Sequence, residues 1–147
     1  MTEKIIVRKA RNSDLDVLND LSVQLGYPAS KEETKNRFSL LSKENNHLLL
    51  VAEVEGNEVV GWIHVLLRIL LMAEPMAEIG GLVVDEKHRG KGIGRLLVVE
   101  AEKWAKSRGI PRLVVRSNVV RREAHDFYPH VGFTHTKTSH VYTKKIF

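Results

Sequence analysis

The chain contains no cysteine, an absence that excludes disulfides, thiolate metal sites and a cysteine nucleophile together. It also lacks a long hydrophobic run. The longest apolar stretch, Gly61 to Met72, is broken by His64 and Arg68. It stops well short of the roughly 20 residues that span a bilayer, so it reads as a buried strand and no membrane partner is expected. The opening MTEKIIVRKA has polar and charged residues where a signal peptide carries its apolar segment, which predicts a cytoplasmic protein. Internal repeats, linkers and low-complexity tracts are missing as well. A chain of 147 residues can bury enough surface in a single core, and one domain over 1–147 is expected.

The formal charge of +5 fits an anionic partner, and its placement says more than its total. Lys87, His88, Arg89, Lys91 and Arg95 form the densest basic group and coincide with the glycines. No aromatic stripe accompanies them, which argues against a nucleic-acid partner. His130, His135 and His140 recur at a spacing that puts neighbours on opposite faces of a strand, and no carboxylate or cysteine joins them, so no metal is expected.

Lys4 to Lys9 alternates apolar and polar residues and predicts an opening strand. Asn12 or Ser13 then caps a helix carrying Leu15, Leu18, Leu21 and Leu25, with Gly26 as its stop. Ser30 and Glu33 make a capping box for a second helix reaching about Leu41. His47 to Glu53 and Glu58 to about Leu70 read as a hairpin around Glu55-Gly56-Asn57, and a third strand follows from Met76 to Val84. Gly94 to Arg108 is the best helix, stopped by Gly109. Leu113 to Arg116 is a strand, Arg121 to Tyr128 a last helix that Pro129 ends, and Phe133 to Phe147 two short strands turning near Ser139. The order β-α-α-β-β-β-α-β-α-β-β predicts an α+β fold, a mostly antiparallel sheet of about seven strands with helices on both faces.

The informative segment runs from Leu82 to Leu97, where a strand enters the turn Arg89-Gly90-Lys91-Gly92-Ile93-Gly94-Arg95 and becomes a helix. Such a turn aims unpaired backbone N–H groups at one spot, where the helix dipole also favours negative charge. Gly90, Gly92 and Gly94 let phosphate oxygens approach the backbone, and Arg89, Lys91 and Arg95 supply countercharge. The segment reads as a diphosphate cradle. A P-loop would end in Gly-Lys-Ser/Thr, and here Gly94 is followed by Arg95-Leu96. A dinucleotide fold would carry G-x-G-x-x-G near its first strand, whereas this loop reads G-x-G-x-G past mid-chain.

Arg89 to Gly94 resembles the R/Q-x-x-G-x-G/A signature of the GNAT acyltransferase superfamily, flanked by Leu-x-Val-Asp and Arg-Leu-Leu in the family manner. A second block, Asn118, Ala124, Phe127, Tyr128, Gly132 and Phe133, is similar to the family's N...A..FY...GF segment. The resemblance covers nearly the whole chain and implies an N-acetyltransferase that takes acetyl-coenzyme A as co-substrate and binds no metal. It implies that Leu82, Val83 and Val84 hold the pantetheine arm through their backbone, in a splay toward Leu113 to Arg116. Gly80-Gly81 suits a bulge that opens this gap. It further implies that Asn118 and Phe127 line the arm and that Tyr128 protonates the leaving sulfur. Members often pair as homodimers.

Moving acetyl from a thioester to an amine needs a neutral nitrogen, yet an alkylamine has a pKa of about 10.4 and only about one molecule in a few thousand is neutral at pH 7. A base is therefore required. The resemblance points to Glu78; His64, on the neighbouring strand, titrates in the right range and is a second candidate, though a histidine inside an apolar strand is more often a core residue. The acceptor amine is expected between the Gly26 to Ser30 turn with its following helix and a hairpin around Thr138 to Val141. Tyr27 offers a wall, and Glu32, Glu33 or Glu74 an anion. A small-molecule amine is favoured, by direct transfer in a ternary complex. Protein lysines or N-termini, and a coenzyme A module without catalysis, are the alternatives.

Overall fold

The computed structural model describes residues 4–117 and 122–147, which fall into two compact units, Met1–Arg116 and Ser117–Phe147. The first unit runs β1 (Ile6–Lys9), a 3-10 turn (Asn12–Asp14), α1 (Leu15–Leu25), α2 (Lys31–Ser42), β2 (His47–Val54), β3 (Glu58–Leu70), β4 (Ala73–Val84), a second 3-10 turn (Glu86–His88), α3 (Ile93–Ser107) and β5 (Leu113–Val115). The second unit holds α4 (Arg122–His130). The sheet order is β1-β2-β3-β4-β5, antiparallel except for the parallel pair β4 and β5.

Alternation along the strands sends side chains to two packed faces. Val51, Val59 and Val83 turn to one face and bury against Leu18 and Leu21 of α1. On the other face Gly61 lies beneath Leu97 of α3, and Ile63, two residues along, is fully buried. Burying side chains such as Ile63 and Leu97 contributes about 1.5–3 kcal/mol each. Helices thus cover both faces of the sheet in an α+β fold.

Local chemistry explains most boundaries. Gly56 (φ 85) and Asn57 (φ 61) take the left-handed pair that joins β2 to β3. Ser30 and Glu33 form the expected capping box. Gly26 (φ 100) closes α1 in a Schellman motif, with Gly26 N–H donating to the Val23 carbonyl and Tyr27 N–H to that of Ser22. The start of α1 departs from expectation. Neither Asn12 nor Ser13 caps it, and Asp14 at the N-cap makes no side-chain cap bond; its carboxylate turns back to the preceding 3-10 turn, accepting from Arg11 N–H at 2.7 Å while Arg8 grips both its oxygens at 2.8 and 3.0 Å. Arg8 also donates to Glu53 on β2 at 2.7 Å, so a buried ion cluster welds the N-terminal turn to the sheet.

Three further expectations are corrected. The third strand begins at Ala73, not Met76, because β3 and β4 stay paired to Leu70↔Ala73 and Pro75 is accommodated within the strand. Pro129 does not end the last helix, which continues to His130. Proline forfeits only its own N–H there, and the stop comes from Gly132 (φ 100), with Gly132 N–H donating to Pro129 and Phe133 N–H to Tyr128. Phe133 to Phe147 forms no strand, so the described residues contain five strands where about seven were expected. Alternation there is real, but a strand also needs a neighbour's ladder, and Thr134 to Phe147 is exposed throughout.

Candidate functional site

The glycine turn is where the strongest sequence signal lies. After Val84 the chain makes a 3-10 turn, and Gly90 (φ 80) and Gly92 (φ 81) both adopt left-handed backbone before α3 starts at Ile93. A Cβ at either glycine would meet nothing within 4 Å, so glycine is required by conformation and not by crowding. Gly92 caps α3 without a side chain, and the helix offers its first N–H groups with no intrahelical acceptor. Gly94 is already helical. Arg89 Nε donates to the Val84 carbonyl at 3.1 Å, folding that side chain back over the strand exit. Lys91 and Arg95 are both exposed on the same turn. Backbone donors, a helix N-terminus and basic side chains together suit a diphosphate.

The turn is braced from α1. Gln24 Nε2 donates to Asp85 Oδ1 at 2.8 Å and Gln24 Oε1 accepts from Glu86 N–H at 3.0 Å. The other oxygen of Asp85 meets His88 Nδ1 at 2.8 Å. The Gln24 bond first, then His88, holds the Asp85 carboxyl below its ordinary range.

β4 carries the rest. Its parallel pairing with β5 covers only Ala77↔Leu113 to Ile79↔Val115, so among the described residues the β4 edge from Gly80 to Val84 has no ladder partner on that side. Val83 is buried toward α1, while Leu82 and Val84 are half-buried. The expected bulge is present: His64 pairs with Gly81 and Val65 with Ile79, leaving Gly80 as the extra residue. Both glycines project to the α1 face. A Cβ on Gly80 would sit 2.7 Å from His64 Nδ1, and one on Gly81 2.7 Å from the Trp62 ring.

Glu78, two residues before the bulge, is engaged already. Its Oε1 accepts from Arg68 at 2.9 Å and from Arg116 Nε at 2.8 Å, a double clamp on a carboxylate that is only 15% exposed. His64 Nε2 lies 2.9 Å from His47 Nδ1, the rings stacked with centroids 5.2 Å apart. Burial, and then the neighbouring His47, push His64 down to about 4, so its imidazole is neutral at neutral pH.

His64 and Gly80 line a cleft of about 320 Å³ between α1, α2 and the sheet, walled by Leu18, Phe38, Leu49 and Trp62. Tyr27 stands in this wall as expected. Glu33 instead closes the capping box and pairs with Arg37, and Glu32 and Glu74 are exposed. The expected hairpin around Thr138 to Val141 is not formed.

Tyr128 belongs to the second unit, where its ring meets Phe127 and Phe133 edge-on at 5.2 and 5.5 Å. Asn118 lies outside the described residues. Among those described, no group of three or more His, Asp or Glu side chains could hold a metal, and no helix is long and apolar enough to cross a membrane. Sequence reasoning missed Gln24, His47, Arg68 and Arg116, because each acts through a partner distant in the chain.

The family model for the acetyltransferase (GNAT) family matches residues 15–133. An uncharacterised N-acetyltransferase of Methanocaldococcus jannaschii is 30% identical over 113 residues, covering 73% of this chain and 48% of its own. The chain thus spans about half the length of that relative. The aminoglycoside antibiotic 6'-N-acetyltransferase of Acinetobacter baumannii has the same fold, with a TM-score of 0.87 at 20% identity, over 97% of this chain and 99% of the other. An aminoglycoside N-acetyltransferase in complex with coenzyme A gives 0.88 at 14% identity, over 99% and 97%. The glycine turn, the open strand edge beside it and the matched 119-residue span, 15 to 133 inclusive, converge: this chain belongs to the GNAT acetyltransferase family.

Proposed function

We propose that this chain transfers acetyl from acetyl-coenzyme A directly to the primary amine of a small molecule, in a ternary complex without an acyl-enzyme. The observation that carries the reading is the turn at Gly90 and Gly92, left-handed at both glycines and leading straight into α3. Arg89 to Arg95 bind the diphosphate there. The open main chain of Leu82 to Val84 takes the pantetheine arm as an added strand would, and the Leu82 N–H polarises the thioester carbonyl; Asn118 and Phe127 are assigned to the arm by the family resemblance. Tyr128 returns a proton to the departing sulfur. The size of the cleft supports a small acceptor, as do the aminoglycoside-acetylating relatives. A cytoplasmic homodimer fits the family pattern.

Calorimetry with coenzyme A and acetyl-coenzyme A, followed by thiol release across a panel of amines, tests the reading. Binding together with amine-dependent thiol release is expected, and Tyr128→Phe should lower kcat while leaving coenzyme A affinity in place. Folded protein that takes up no coenzyme A would overturn it. Turnover on peptides alone would move the acceptor to protein amines.

A further inference from the structure

The cleft contains a polar device that the coenzyme site does not use. Two histidines from neighbouring strands touch, and a glycine is missing its side chain beside one of them. His64 Nε2 is 2.9 Å from His47 Nδ1. The opposite ring nitrogen, His64 Nδ1, is 2.7 Å from where a Cβ on Gly80 would be. The bare Cα of Gly80 therefore lets the ring edge that His47 does not occupy pack close to β4, and Gly80 and His64 both line the cleft.

We propose that His64 Nδ1 accepts the proton of the acceptor amine and that His47 is its positioning residue and proton outlet. This rests on the acetyl-transfer reading above. With His47 Nδ1 as acceptor, His64 Nε2 carries the hydrogen and Nδ1 keeps its lone pair beside Gly80 at the cleft. The amine nitrogen attacks the thioester carbonyl carbon, forming the C–N bond. As the C–S bond breaks, its electron pair leaves on sulfur, which takes a proton from Tyr128. The proton shed by nitrogen goes to His64 Nδ1, the Nε2 proton passes to His47 Nδ1, and His47 releases one proton to water from which Tyr128 is recharged.

The surroundings favour a neutral acceptor at this place. His47 from β2 touches His64; in the cleft that His64 lines, α2 contributes Arg37 and α1 only uncharged residues. Glu78 has one oxygen committed to two guanidiniums, whereas the free side of His64 opens on the cleft. His64 is neutral at neutral pH, and because burial disfavours its cation a proton arriving at Nδ1 must pass on to His47 and not rest there.

Two measurements decide the matter. The ¹⁵N spectrum of histidine-labelled wild-type protein reads the tautomer: Nδ1 of His64 should be unprotonated and Nε2 protonated at pH 7, and a hydrogen on Nδ1 overturns the proposal whether or not any amine is turned over. In steady-state assays His64→Gln should lower kcat by about 10²–10⁴-fold, the usual yield of general-base catalysis, with KM for acetyl-coenzyme A unchanged. His47→Gln keeps an acceptor for Nε2–H but cannot take the proton, so kcat should fall by about tenfold. Deleting His47 also relieves the smaller of the two causes that hold His64 down, so the acid limb of the pH profile should move to higher pH. A lower rate with an unmoved limb would make His47 merely structural, and a His64→Gln enzyme within about threefold of wild type would sink the base assignment. Failure to bind coenzyme A would instead remove the acetyl-transfer reading, while the tautomer result stands by itself.

Discussion

Gln24, one residue before the end of α1, holds Asp85 and the amide of Glu86 with the two ends of a single side-chain amide, at 2.8 and 3.0 Å. The strand exit that leads into the glycine turn is thereby fixed to a helix on the opposite side of the sequence. Gln24→Ala removes both bonds, each worth about 0.5–1.5 kcal/mol net, less where solvent reaches them. The expected outcome is a small drop in melting temperature and a several-fold weaker affinity for coenzyme A, read by thermal denaturation and calorimetry. Unchanged affinity would show that the turn needs no brace.

Asp14 carries the ion cluster of the N-terminal turn. Its carboxyl is held below the ordinary value of 3.8, first by the Arg8 bond. A depressed carboxylate contributes stability that is present above the unfolded value and lost as pH falls through the folded one. Wild-type protein should lose this contribution only below about pH 4. Asp14→Asn should cost about 2 kcal/mol at pH 7 and flatten the acid part of the stability curve. Urea titrations at pH 7 and pH 3 compare the two.

Glu78→Gln separates scaffold from base. The substitution keeps an acceptor but removes the charge that Arg68 and Arg116 share, so midpoint stability should fall by about 1–3 kcal/mol. Its kcat should stay above that of His64→Gln. The reverse order in thiol-release assays would return the base role to Glu78.

The adjacent glycines should respond differently to a methyl group. In Gly81→Ala the new Cβ meets the Trp62 ring at 2.7 Å inside the packed face, costing about 1–3 kcal/mol of stability. In Gly80→Ala it meets His64 Nδ1 at 2.7 Å, and the imidazole can turn aside into the cleft. Gly80→Ala should therefore lose kcat with little change in melting temperature.

The elements that were legible in the sequence are those whose cause is local. The Ser30 and Glu33 box, the Gly26 and Gly109 stops and the Gly56-Asn57 turn all act within a few residues. The glycine turn was legible for the same reason. Pro129 misled because the true stop, Gly132, competes with it three residues on. The histidine pair was hidden by register: counting back from the Val54↔Glu58 pair sets Leu48 opposite His64, but the irregularity at Ala52/Glu53 shifts the partner to Leu49. That brings His47 onto the His64 face. The clamp on Glu78 needed the parallel pairing of β5, which no short motif announces.

The extra residue in β4 has a consequence for what the chain can lose. Above it His64 is matched with Gly81, below it Val65 with Ile79, and the two strands are in step on both sides. Excising Gly80 would let the ladder close without turning a single other side chain over. The protein would keep its interior while losing both the bulge and the close seat of the imidazole on Gly80, so one codon's deletion would part the scaffold from the shape of its site.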